Sequence, residues 1–137
     1  MNNRILFKDR NEWRSWLENN HDKEDQIWLI YYNKHVNKNS VAQPHAVEEA
    51  LCYGRIDSIV KRIDEERYMQ KYIPRNEKSI WSDTNKKRFT ELEKNGKMTE
   101  AGMKKVRAAK KNGYWNKINN NSDIKNIPVE LDGFDKK

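Results

Sequence analysis

The stretch KYIPRNEKSIWSDTNKK, Lys71 to Lys87, crowds Pro74, Arg75, Ser79, Trp81, Ser82 and Asn85 between an expected strand and an expected helix. A plain connector uses small turn-forming residues and has little need of an indole and a guanidinium. An arginine on a short turn, beside the free N–H groups of a helix start, makes a pocket that a carboxylate or phosphate can occupy. In that reading Arg75 is the anion contact, Ser79 and Asn85 are neutral hydrogen-bonders, and Trp81 is an apolar wall. The plainer reading makes Ser82 an N-cap and Trp81 a staple-type residue ahead of its helix. Arg75 could equally form a bidentate pair with Asp57, and the two readings stand side by side.

Arg55 and Asp57 follow Gly54 at a helix-to-strand junction. Arg55 adds a second guanidinium near the same corner, so a pocket shared by both arginines takes an anion. Asp57 holds Arg75 in orientation or, alone, serves as a general base, a task that usually needs a partner at hydrogen-bond distance. Cys52 lies on the apolar side of a helix near its C-terminus, where the dipole raises a thiol pKa, and reads as a small core residue. His21, His35 and His45 share no metal-ligand spacing. There is no glycine-rich phosphate loop, G-x-S-x-G or H-E-x-x-H, and no residue pattern that asks for a cofactor or a metal.

The elements that must position these residues follow from periodicity. Asp9 caps a helix carrying Trp13, Trp16 and Leu17, and Gln26 to Tyr32 (QIWLIYY) reads as a buried strand. Pro44 opens a helix with Ala46, Val47, Ala50 and Leu51 on one face, which Gly54 ends. From Arg55 to Ile73 the pattern alternates around the turn DEE, with Ile59, Lys61 and Ile63 on one side and Ser58, Val60 and Arg62 on the other. That is an antiparallel hairpin. Ser82 and Thr99 cap two further helices, with Phe89 and Leu92 in the first and Met103, Val106 and Ala109 turned inward in the second. The expected fold is α+β, a small antiparallel sheet of about three strands packed with about four helices. One domain spans 1–116, and 117–137 reads as a polar, flexible tail.

The 137 residues fit one domain. Five Trp, six Tyr and three Phe supply core surface despite charged residues making up 36% of the chain. The net charge is +7, and it is uneven: Lys86 to Lys117 holds eleven Lys or Arg against three Glu, while the first 85 residues cancel. A positive half suits an acidic protein, anionic lipid or nucleic acid. Lys104, Lys105, Lys110 and Lys111 could hold nucleic acid non-specifically, without a groove-reading motif. No signal-peptide core and no membrane-length apolar run is found, so the expected compartment is the cytoplasm.

Three blocks carry a resemblance. EALCYGRIDS (Glu49 to Ser58), PRNEKSIWSDTN (Pro74 to Asn85) and LEKNGKMTEAGMKKVRAAKKNGYW (Leu92 to Trp115) are similar, in order and spacing, to the blocks of the YdeI/OmpD-associated, or bacteriocin-protection, family. Arg55 stands where that family has tryptophan, and Pro44-His45 replaces its tyrosine-glutamate. The chain resembles a shortened member, reaching IPVELDGF without the helical region that follows in longer ones. The resemblance implies a bacterial protein linked to envelope stress and tolerance of cationic antimicrobial peptides, and implies no known reaction. The expectation is a non-enzymatic protein binding a small anionic ligand or a protein partner. The alternatives are an enzyme using Asp57 and Arg75 on a small anionic substrate, and non-specific nucleic-acid binding through the basic C-terminal helices.

Overall fold

A computed structural model describes residues 4–23, 26–76 and 78–117. The elements are β1 (Arg4–Leu6), α1 (Arg10–Asn20), β2 (Ile27–Tyr32), α2 (Gln43–Cys52), β3 (Arg55–Arg62), β4 (Arg67–Pro74), α3 (Asp83–Lys94) and α4 (Glu100–Asn112). The fold is α+β. The sheet differs from expectation in two ways: it has four strands, in the order β1-β2-β4-β3, and it is mixed, because β1 runs parallel to β2. Three residues with Arg4 exposed are too short to show alternation, which hides β1 in the sequence. The parallel pair needs a crossover, and α1 supplies it. The tail expected to be flexible lies, from residue 118, outside the described residues.

The caps form as their chemistry dictates. The Asp9 carboxylate accepts from the backbone N–H of Asn11 and Glu12, Ser82 Oγ from that of Asn85, and Thr99 Oγ1 from that of Gly102. Pro44 sits in the first turn of α2, where its missing N–H removes nothing. The core gathers on one face of the sheet. From β2 it takes Ile27, Leu29 and Tyr31, from β4 Tyr72, and these meet Trp13 and Leu17 of α1, the apolar side of α2, Phe89 and Leu92 of α3, and Val106 and Ala109 of α4. Cys52 is fully buried there, and burial pushes its thiol pKa up against a hydrogen bond from Arg14 that lowers it.

Two glycines permit the packing at the site corner. Gly54 takes φ +77 between α2 and β3, and a Cβ there would press on Lys105 Cγ and the Ala101 carbonyl at 2.9 and 3.1 Å. Gly102 lets α4 approach so closely that a Cβ would overlap the Cys52 carbonyl, which also accepts from Thr99 Oγ1 at 2.6 Å.

A bulge in β3 decides what the hairpin presents. Asp57 pairs with Tyr72 and Val60 with Gln70, so one extra residue is absorbed between them. Strict alternation would put Asp57 on the side of Lys61. The bulge returns it to the face of Tyr72 and Gln70, the core face, and leaves Ile59 half-exposed.

Candidate anion-binding site

Arg75 follows β4 directly, and its backbone N–H donates to the Gly54 carbonyl at 2.9 Å, which pins the turn to the end of α2. Its side chain is 4% exposed. The guanidinium lies 3.8 Å from the centre of the Trp81 ring, close enough for a strong cation–π contact. Trp81, 4% exposed, packs in turn on Trp115 at 4.9 Å, and Trp115 meets Phe89 edge-on and takes Lys110 at 4.9 Å on its face. The Trp81 indole is the middle layer of a stack that joins the β4–α3 turn to the end of α4.

The polar side of Arg75 is incomplete. One terminal nitrogen donates to the Ile80 carbonyl at a long 3.4 Å, and Nε, buried, has no hydrogen-bond partner. No ion pair joins Arg75 to Asp57; the carboxylate acts on it only through space. Burial consequently wins, and the guanidinium pKa is pulled down to about 10, with Asp57 opposing. A groove of about 500 Å³, open to solvent, runs past Arg75 and is lined also by Gln26, Lys71, Ile73, Pro74 and Asn76. A second, of about 560 Å³, shares Asn76 and is lined also by Lys78, Asn112 and Tyr114.

The other expected site residues separate. Asp57 accepts from Gln70 Nε2 at 3.3 Å, and its pKa is raised by burial although Arg88 and Arg75 pull it down. Neither groove is lined by Asp57. Asn85 accepts from Arg88 at 2.9 Å, holding that second arginine beside Asp57's field. Ser82 is exposed and serves as the α3 cap. Ser79 is half-buried in the turn, its N–H on the Asn76 carbonyl. Arg55 is buried and donates to the His21 carbonyl at 2.9 Å, at the end of α1 and away from both grooves.

Sequence reading alone missed two features. Gln70 accepts from both Tyr31 and Tyr72, at 3.0 and 3.2 Å, and the two hydroxyls lie 2.9 Å apart, forming a buried polar knot under Asp57. Burial drives both tyrosine pKa values well up, so the hydroxyls stay neutral. The signal was a glutamine alternating with two tyrosines on an inward face. The other is Glu49, 1% exposed, which accepts from Arg10 Nε at 2.7 Å and from Arg14 at 2.8 Å. Its position on the apolar side of α2 marks it, but not its partners.

Among the described residues no group of His, Cys, Asp and Glu could hold a metal, and no helix is long and apolar enough to cross a membrane. No curated protein and no solved structure matches the chain. A family model matches residues 5–105, and the chain belongs to that family, described as Domain of unknown function (DUF8412).

Proposed function

We propose that the protein is a non-enzymatic binding protein whose ligand is a small carboxylate or phosphate, or a protein partner presenting such a group, held at Arg75. The observation that carries the reading is the buried guanidinium with its Nε unpartnered, at the wall of an open groove. A buried charge costs several kcal/mol unless hydrogen-bonded and paired. Trp81 offsets about 2 kcal/mol of that as a desolvated cation–π partner. An anion in the groove would offset more by neutralising the guanidinium's charge, while Lys71 adds a second cation and Asn76 and Gln26 neutral donors. Asp57, held by Gln70 outside the groove, favours binding over turnover. The three blocks that resemble the bacteriocin-protection family extend the proposal to a role in bacterial envelope stress or tolerance of cationic antimicrobial peptides.

The test is thermal unfolding with a panel of carboxylates, phosphates and sugar acids at constant ionic strength. A binding anion at 100 times its dissociation constant should add about 2.7 kcal/mol to the wild type. Arg75→Met should remove that gain. An equal gain in the variant, or none from any anion in the wild type, overturns the proposal.

A further inference from the structure

The face of the sheet away from the core is a second surface, which shares only Lys71 with the lining of the Arg75 groove. Register places its residues in rows across the strands: Arg4, Trp28 and Lys71 in one, Leu6, Ile30, Met69 and Lys61 in the next, Tyr32 and Arg67 in a third. None of these side chains joins the main core cluster, although Ile30, at the centre of the face, is itself buried among its neighbours. The rows contain three aliphatic or thioether residues, two aromatics and four cations, and no Asp or Glu. Lys61 and Lys71 both approach Trp28, with Nζ at 5.6 and 5.5 Å from the ring centre, and Lys38 approaches Tyr32 at 5.6 Å. Arg4 reaches the Met69 sulfur at 3.9 Å.

We infer that this face is a platform for single-stranded nucleic acid. An open sheet face with an aromatic on a central strand is what an unpaired base can stack on, and flanking lysines are what its phosphates can pair with. Trp28 and Tyr32 lie four residues apart on β2, a backbone rise of ~13 Å, far enough for each ring to take a different base. A duplex fits less well, since its bases are already stacked and a flat face offers nothing to enter a groove. An anionic small molecule would use the cations but not the row of rings. Arg67 is paired with Asp64 and Lys38 with Glu66, but Arg4, Lys61 and Lys71 make no ion pair among the described residues, and these three give the complementarity that a polyanion needs. Against free solvent, the lysines ride over the indole; a bound strand would draw them off to its phosphates.

The experiment is fluorescence anisotropy of the full chain with labelled oligo(dT) and oligo(U) of about fifteen nucleotides, against a duplex of the same length, from about 50 mM salt upward. The single strands should bind more tightly than the duplex and quench tryptophan fluorescence. Trp28→Ala should weaken binding about 10- to 100-fold, and Trp28→Phe should restore most of it, as stacking requires. Lys61→Ala with Lys71→Ala should lower the slope of log affinity against log salt by about 0.7 per lysine. Arg75→Met should leave all of this unchanged, which separates the platform from the anion recess. The inference fails if duplex binds as well as single strand, if Trp28→Ala binds normally, or if no strand binds at low salt. It also fails if neutralising Lys104, Lys105, Lys110 and Lys111 accounts for the affinity, or if sedimentation shows a dimer that Trp28→Ala dissociates. Circular dichroism confirms that each variant is folded, and Lys61→Glu with Lys71→Glu, remote from the core, repeats the test without touching the ring.

Discussion

Glu49 and Arg75 are buried to the same degree, 1% and 4% exposed, yet their surroundings are opposites. Both carboxylate oxygens of Glu49 are taken, one by Arg10 and one by Arg14, and each arginine spends its other arm on a second acceptor, Glu48 or the Lys97 carbonyl. Burial works against the charge of Arg10 and Arg14, but these hydrogen bonds outweigh it and raise both pKa values. Arg75 has one long bond and an orphaned Nε, and burial lowers its pKa to about 10. A network in which both oxygens of the buried carboxylate are taken ties α1 to α2 and leaves no buried polar atom of Glu49 for a ligand. A buried cation with a valence open is strained until something supplies it. Burial of charge is therefore not the mark of a site; unfinished hydrogen bonding beside a groove is.

The largest effect expected separates the two by sign. Glu49→Ala leaves Arg14 without its counter-charge and Arg10 with Glu48 alone, and breaking a buried pair in that way costs about 3–5 kcal/mol. Urea unfolding measures it, and a loss under about 1 kcal/mol would mean that the pair is no more than a surface one. Arg75→Met should do the reverse. The variant gives up about 2 kcal/mol of cation–π contact but also the several kcal/mol of charge burial, and the thioether still packs on Trp81. The expected result is an unchanged or higher stability, by about 1–2 kcal/mol, at neutral pH. A loss as large as that of Glu49→Ala would make the guanidinium a structural group and remove the contrast.

Much of the fold was legible because its signals are local. Asp9, Ser82 and Thr99 are caps that satisfy N–H groups two or three residues away, and Gly54 and Gly113 sit at helix ends with positive φ. The parallel strand β1 was not, since its three residues pair with β2 across a whole helix. The site divides in the same way. Arg75, Trp81 and the corner made by Gly54 lie within one contiguous turn and its anchor, and the sequence shows them together. The fate of Arg55 was invisible: it donates to a backbone carbonyl thirty-four residues earlier, which leaves no trace in composition. The bulge that turns Asp57 to the core face is likewise a register event, and nothing in RIDSIVKR announces it.

Asp57 tests the contrast at its finest. It stands between the two cases, with one hydrogen bond from Gln70 and through-space attraction to Arg88 and Arg75, and burial still raises its pKa above the ordinary 3.8. A carboxyl whose folded pKa is raised binds more protons in the folded state, so stability falls as pH rises from 3.8 through the raised value. Asp57→Asn keeps an oxygen for Gln70 and removes the charge. That variant should match or slightly exceed the wild type at neutral pH, by less than about 1 kcal/mol, and should lose the wild-type decline in stability across that acid window. The measurement is unfolding free energy from about pH 3.5 upward for both proteins, a range that spans the ordinary carboxylate pKa. If the variant is instead clearly less stable at pH 7, the carboxylate is holding Arg75 and Arg88 in place more strongly than burial penalises it. The recess would then already own its anion, and Arg75 would join Glu49 among the closed networks.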